Sequence, residues 1–458
     1  MSPTSARAAG RHANPLPVPA LTAPSKPKRI VTVERLLPSG LRVVVVRRTS
    51  VPMVEVRLRL PFLSAKPHHL ARSTLLSETI LTGTERRDRT GLAIALQELG
   101  GDLSIGLDAD RLLLSGSALS TKLVSLLGVI GEVLESATYP KSEFTGERAR
   151  LVDRVTLARS QPGVIANEAL AQRMAPGHPY GSSLPEAGEI EQSSAPQVRK
   201  LHADLVRPDG AVLVIVGDVV PARALDAAER VLSGWTGEQA KHKVAEPPSL
   251  EQGPLQIIDR PGSVQTSLRF GGAALRRDDE RYPALQLANL AFGGLFSSRW
   301  VENIREDKGY TYSPRSALDH ATLRSAFLAS ADVATEVTAP AVLETLYELG
   351  KISTLPISST ELELIRQYAI GTMALSISTQ AGLASTLVGL LGAGLDVEWL
   401  STHRQRLTAV TIDEIAAVSA EFLSPRALVG IAVGDAEQIA PSLRRILDVD
   451  VRAVTTTG

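Results

Sequence analysis

Two distant stretches of this chain are built alike, and that likeness constrains the fold more than any other feature. Val212-Leu213-Val214-Ile215-Val216-Gly217-Asp218 is an apolar run ending in a turn, and Val429-Gly430-Ile431-Ala432-Val433-Gly434-Asp435 repeats the device half a chain later. Each run suits a strand buried on at least one face. Each precedes a segment with amphipathic helical spacing, 222–232 and 438–447. The openings of the halves correspond as well. The run 41–46 leads through Ser50-Val51-Pro52 into 54–60, which alternates apolar and polar residues as a half-buried strand does. In the later half, 255–258 leads through Pro261-Gly262-Ser263 into 266–270. Such short connections favour antiparallel pairing of the two runs they join.

Each half continues with helices, further strands and a closing helix. The expected fold class is α+β: two homologous domains, each a largely antiparallel sheet with helices packed on one face. Residues 1–29 are acid-free, rich in Ala, Pro and Ser, and carry Arg7, Arg11, Lys26, Lys28 and Arg29. Pro15, Pro17, Pro19 and Pro24 interrupt any apolar run of a secretory signal, so this stretch reads as a disordered tail. The first domain is placed at 30–236 and the second at 255–458. Between them, 237–254 holds Gly237, Pro247, Pro248 and Gly253 with little periodicity and reads as a linker.

Lys+Arg and Asp+Glu both number 49, so the chain carries no net charge that would point to nucleic acid or an anionic membrane. Cysteine is absent, which excludes disulfides and thiolate metal sites. The most apolar stretch, 382–400, is broken by glycines, Ser385, Thr386, Asp396 and Glu398, and reads as a buried helix rather than a membrane span. The expected location is cytoplasmic.

Several local motifs fall in a telling order: Leu37-Pro38-Ser39-Gly40-Leu41, Gly83-Thr84, Leu99-Gly100-Gly101, Gly177-His178-Pro179-Tyr180-Gly181, and the two Val-Gly-Asp turns. The most specific is Gly293-Gly294-Leu295-Phe296-Ser297-Ser298-Arg299, followed by Ile304-Arg305-Glu306-Asp307-Lys308-Gly309. Together, from about Glu34 to Leu447, they resemble the insulinase/pitrilysin family of zinc peptidases, most of all its small two-domain subunits, such as those of mitochondrial processing peptidase. The resemblance implies an inverted zinc motif, H-x-x-E-H, just before Gly83-Thr84. Here the two histidine positions hold Thr74 and Glu78, and the glutamate position holds Ser77. The distal zinc ligand of the family, seven residues after an acid matched by Glu147, is Arg154. A catalytic zinc needs about three protein ligands and an open position, and a guanidinium has no lone pair to offer. No metal and no cofactor are therefore expected in this chain. The charge reversal suggests instead that Glu78 and Arg154 form a buried ion pair across two helices, whose disruption would cost about 3–5 kcal/mol.

The eight histidines offer no replacement triad. Neighbouring His68 and His69 point apart in any regular element and read as a loop after Lys66-Pro67, while His178 reads as a turn residue. What survives lies in the second half. Active members of the family use an Arg and a Tyr seven residues apart on the substrate, and the matching positions are Arg305 and Tyr312, with Tyr310 as the alternative tyrosine. Arg305 is expected near the end of a helix starting at about Ser298 and stopped by Gly309, and Tyr310-Thr311-Tyr312 at a strand start. Both side chains are donors at neutral pH and could bind a peptide carbonyl and the oxyanion that develops from it.

The resemblance thus implies a non-catalytic subunit of a heterodimeric zinc metalloendopeptidase. A paralogous partner would hold the zinc, this chain would present Arg305 and Tyr312 in trans, and extended peptide would be the substrate. The strand after Gly100-Gly101 matches the sheet edge on which such peptides add. The alternative is a metal-free scaffold or peptide-binding protein with no peptidase role. Neither reading calls for nucleic acid or membrane.

Overall fold

Runs of β-branched and aliphatic residues set two six-stranded sheets, seen in a computed structural model that describes residues 30–239 and 243–453. The expected tail, 1–29, lies outside the described residues. The first sheet contains β1 (Thr32–Leu36), β2 (Arg42–Arg47), β3 (Met53–Pro61), β4 (Asp102–Leu107), β5 (Arg111–Leu119) and β6 (Val212–Gly217), in the order β1-β2-β6-β3-β5-β4. The second contains β7 (Leu255–Asp259), β8 (Gln265–Ala273), β9 (Arg315–His320), β10 (Ser325–Ala334), β11 (Leu428–Gly434) and β12 (Val449–Ala453), in the order β12-β7-β11-β8-β10-β9. The chain is α+β with two mixed-sheet domains, as the repeat implies.

One pairing differs from expectation. β2 and β3 are joined by a short connection but do not pair, because β6 lies between them, parallel to β2 and antiparallel to β3. β11 is inserted in the same way between β7 and β8. Both inserted strands are buried at every residue, and only a central position covers both edges and both faces of such a run. The glycines of the two Val-Gly-Asp turns make the insertion possible. A Cβ on Gly217 would lie 2.5 Å from the Met53 carbonyl oxygen, and one on Gly434 would lie 2.6 Å from Thr266 Oγ1. The aspartates have diverged. Asp435 accepts from the backbone N–H of Gly262 at 2.9 Å and caps the helix Ala436–Leu443, whereas the helix Pro221–Val231 has no side-chain cap.

Each sheet packs its own half's helices on one face. In the first half Val43, Val45, Val56, Leu58, Leu213 and Ile215 share a core with Leu75, Leu127, Ile130 and Leu225. In the second, Leu268, Phe270, Phe327 and Ala432 share one with Leu285, Val342, Leu349 and Ile439. The opposite faces are closed by exchange. The helix Pro162–Met174 of the first half lies on β8 and β11, where Ala166, Leu170 and Met174 meet Val429, Ile431 and Val433. The helix Gln380–Gly392 of the second half lies on β3 and β6 of the first sheet. This is the apolar segment read as a buried helix, and Leu383, Leu387, Val388 and Leu391 are buried in it, although it stops at Gly392. No single helix among the described residues is long and apolar enough to cross a membrane.

A matched pair of arginines ties the exchanged helices down. Arg57 on β3 donates from Nε to Ser385 Oγ at 3.2 Å, and Arg269 on β8 donates from Nε to Asn167 Oδ1 at 2.7 Å. Both also donate to backbone carbonyls of their own sheet: Arg57 to Val56 and Gly116, Arg269 to Leu268 and Ala331. Glu55 and Asp332 neutralise them at 2.9 and 3.0 Å. The segment joining the halves, 237–239 and 243–254, contains neither helix nor strand; His178 Nε2 donates to the Ala245 carbonyl in it at 3.0 Å.

The exchange makes each half's stability depend on the other. Leu387→Ala empties a fully buried site between the second half's helix and the first half's sheet and should cost about 2–5 kcal/mol in urea unfolding. Hydrogen exchange should show β3 and β6 opening faster, although the substitution lies more than three hundred residues from β3 in sequence (about 330, from the numbering).

Candidate functional site

The vacated zinc positions lie on two neighbouring helices, His69–Thr79 and Lys141–Arg159. Residues four apart on a helix share a face, so Thr74 and Glu78 look the same way. Thr74 Oγ1 donates to the Leu70 carbonyl at 2.8 Å, and Ser77 Oγ donates to the Thr74 carbonyl at 2.8 Å. Both hydroxyls are thereby spent on their own helix. Arg154 reaches across to Glu78, Nη2 to Oε1, at 2.6 Å. The pair expected from the charge reversal is present, but it is not buried: the two side chains keep 56% and 33% of their exposure. Its worth is that of a surface pair, about 0–1 kcal/mol, rather than the larger figure for a buried one. Glu147, the earlier acid of the motif, accepts from Arg150 at 2.6 Å and Arg89 at 2.9 Å, and these bonds, Arg150's first, hold its carboxyl below the usual range.

The donor set does not fit zinc. No group of three or more His, Asp or Glu side chains converges among the described residues, and a guanidinium occupies one ligand position. His68 and His69 do not repair it. They sit at the start of the first helix rather than in a solvated loop, His68 with φ 57° beside Glu189 at 3.1 Å, and His69 with Nε2 2.7 Å from the Phe62 carbonyl. His178 is a turn residue as expected. Its Nδ1 accepts from the Tyr180 N–H, its Nε2 donates to Ala245, and burial lowers its pKa, so the ring is held neutral.

Arg305 and Tyr312 come together. The helix begins at Arg299 after Ser298, widens into a π-helical turn over Glu302–Asp307, and ends where Gly309 takes φ +64° and donates to the Arg305 carbonyl. π-turns of this kind occur often at functional sites. Arg299 anchors the segment through a two-point pair with Glu361 at 2.8 Å. The Arg305 guanidinium lies 4.8 Å from the Tyr312 ring and 4.4 Å from the Phe296 ring. Its Nε is 3.2 Å from Glu306. Tyr312 is 81% exposed. Phe296, from the glycine-rich turn, was not singled out by sequence; a large aromatic side chain between Gly293-Gly294 and Ser297-Ser298 was the available signal. Its ring and that of Tyr312 hold the cation by its faces, which leaves the edge of the guanidinium for a ligand.

The strand expected at Tyr310-Thr311-Tyr312 does not form; β9 begins at Arg315. Thr311 is buried and donates to the Asp332 carbonyl at 2.7 Å, which turns Tyr310 against the second core and Tyr312 outward. The strand after Gly100-Gly101 is β4, the edge of the first sheet. Gly101 is required there, since a Cβ would lie 1.8 Å from the Ser117 carbonyl oxygen.

The fold is two α+β halves, and among the described residues no metal-binding triad stands at the positions the zinc motif would occupy. A family model described as "Peptidase M16 inactive domain" matches residues 193–368. The chain is 24% identical over 302 residues to an uncharacterized zinc protease of Streptomyces coelicolor, covering 62% of this chain and 64% of that one. It is 25% identical over 278 residues to a probable inactive metalloprotease of Bacillus subtilis, covering 55% and 63%. The matches thus span a little under two thirds of the length of these relatives. Among solved structures, a peptidase M16 inactive domain from Pseudomonas fluorescens superposes with a TM-score of 0.82 at 22% identity, covering 89% of this chain and 98% of that one. A protease from Helicobacter pylori superposes at 0.80 with 16% identity, covering 89% and 100%. These matches support the resemblance to the insulinase/pitrilysin family, peptidase M16, whose inactive-domain model covers residues 193–368 of this chain.

Two measurements check the vacated site. Glu78→Ala should change unfolding free energy by no more than about 1 kcal/mol; a loss of 3 kcal/mol or more in urea titration would show a pair that is effectively desolvated. Because positions 78 and 154 already face each other, Thr74→His, Ser77→Glu, Glu78→His and Arg154→Glu combined should create stoichiometric zinc binding, read by calorimetry, and the unsubstituted chain should show none in the same measurement.

Proposed function

We propose that this chain is the non-catalytic subunit of a heterodimeric zinc metalloendopeptidase. A zinc-bearing paralogue carries out hydrolysis, and this chain supplies Arg305 and Tyr312 across the interface. The observation that carries the proposal is the half-buried Arg305 held between the exposed rings of Phe296 and Tyr312. Cation–π contacts fix the guanidinium plane. Glu306 lies 3.2 Å from its Nε, and Tyr312 is largely exposed. Two preoriented donors on a surface suit a ligand that arrives with its own acceptors, such as an extended peptide. Donors placed at a carbonyl gain most as negative charge develops on its oxygen. An isolated surface arginine needs no such arrangement.

The test is reconstitution with a zinc-motif paralogue from the same genome. Cleavage of an unstructured peptide should require both chains. Arg305→Ala and Tyr312→Phe should each lower kcat/KM by about 10²–10³, the range for loss of one oxyanion donor, with little change in the stability of this chain. Undiminished cleavage with both substitutions would overturn the role in trans. It would favour the second reading, a metal-free scaffold or peptide-binding protein.

A further inference from the structure

A second feature lies away from these residues, in a cavity of about 590 Å³ bordered by both halves. Arg57 and Arg59 project from the same face of β3, two residues apart, and both are about nine-tenths buried. Arg57 is fully engaged, as described above. The Arg59 side chain makes no hydrogen bond or ion pair with any described residue, and it lines the cavity. Its aliphatic stem rests on the exchanged helix at Gly392, where a Cβ would lie 2.3 Å from Arg59 Cδ. The nearby acids are taken. Asp110 accepts from the Tyr180 hydroxyl and the Thr322 N–H, each at 2.6 Å, and Asp108 accepts from Arg111 at 2.7 Å. A buried guanidinium without acceptors is costly, and burial is the largest influence lowering its pKa.

The second half supplies an aromatic wall. Trp399 stacks on His403 at 4.1 Å, and Tyr282 packs against His403 and His320 at 5.4 and 5.2 Å. Both histidines are held at a pKa of about 4, chiefly by burial, so at neutral pH both rings are uncharged, and Arg277 is the charged group beside them. The cavity is of the size that holds a small ligand. It offers an aromatic wall and two arginines, Arg59 and Arg277, without an ion pair to any described residue, while Arg111 and Arg276 are paired with Asp108 and Asp278.

We propose that this cavity binds a monocarboxylate with an aromatic or apolar body, supplied as the C-terminus of a short peptide, with its carboxylate on Arg59 and its body against Trp399 and Tyr282. A carboxylate would accept the paired donors of the guanidinium. The site is distinct from Arg305 and Tyr312, and its test needs no partner chain.

The test is calorimetry on the full chain alone with four probes: an N-acetylated tripeptide ending in phenylalanine, its C-terminal amide, N-benzoylglycine and inorganic phosphate. The tripeptide acid should bind at least tenfold more tightly than the amide or phosphate. Arg59→Met keeps the stem and removes the charge; it should abolish the preference for acid over amide, and its melting temperature without ligand should equal or exceed that of the natural chain. Trp399→Leu should weaken the acid and N-benzoylglycine alike by at least fivefold, which keeps the test open if Arg59→Met fails to fold. N-benzoylglycine binding as tightly as the tripeptide would keep the carboxylate site and assign it to free aromatic acids. Equal binding of acid and amide, tighter binding of phosphate, unchanged binding by Arg59→Met, or no binding of any probe at millimolar concentration would overturn the proposal.

Discussion

The reciprocal exchange of one helix between the halves is the contact on which the rest of the structure depends. A six-stranded sheet whose central strand is apolar on both faces cannot leave either face in water. Each half's own helices cover one face only. Val429, Ile431 and Val433 reach Ala166, Leu170 and Met174 because the first half extends a helix across, and β3 and β6 are covered in return. The polar edges of this contact are matched as closely as the apolar ones, with Arg57 on Ser385 and Arg269 on Asn167. Burying two arginines is tolerable because backbone carbonyls, a carboxylate and a side-chain oxygen share their donors. The surfaces where peptides or partners could act are mounted on this doubly covered frame.

Within that frame, the vacated metal position is cheap to keep. Thr74 and Ser77 return their hydroxyls to their own helix, so neither hydroxyl waits for a ligand. Glu78 and Arg154 neutralise one another where water still reaches both. A protein that had merely lost a ligand would leave two carboxylates or imidazoles facing each other across an empty site. Here the opposite charges make the two helices compatible without a metal, while contributing little to stability. The facing helices therefore hold their place through apolar packing, with Leu75, Leu76, Leu151 and Val155 all nearly inaccessible.

Much of this was legible in the sequence, for identifiable reasons. The inserted strands announce themselves as apolar runs, and the repeat of Val-Gly-Asp ties them to equivalent places. Their insertion between β2–β3 and β7–β8 was not legible, because a short connection suggests pairing whether or not a distant strand intervenes. The helix 380–392 reads as buried from composition alone, but composition does not say which sheet buries it. The Glu78–Arg154 pair followed from motif matching, whereas its exposure depends on neighbours the sequence does not order. Arg305 and Tyr312 came from the family resemblance, with Tyr310 left as the alternative, and the structure brings the Arg305 guanidinium to 4.8 Å from the Tyr312 ring. The strand drawn through Tyr310 and Tyr312 failed because one side-chain contact, from the Thr311 hydroxyl to the Asp332 carbonyl, overrides local alternation. Phe296 was missed because its role is to hold a cation that chain distance does not bring near it.

Where the halves stop matching is as informative as where they match. Arg57 and Arg269 occupy equivalent positions and do the same work. Two residues further along each strand the likeness ends. On β8 the position is Gly271, and Met174 of the exchanged helix fills the space above it, its sulfur 2.4 Å from where a Cβ would be. On β3 the position is Arg59, and the exchanged helix gives way with Gly392. Both solutions close the contact sterically, since a large residue on one side meets a glycine on the other. Only the second places an unmatched charge beside an open cavity. Packing alone is satisfied by the Gly271–Met174 arrangement, which has no desolvation cost to offset. The Arg59–Gly392 arrangement carries that cost, offset in part by the nearby charges of Asp110 and Asp108.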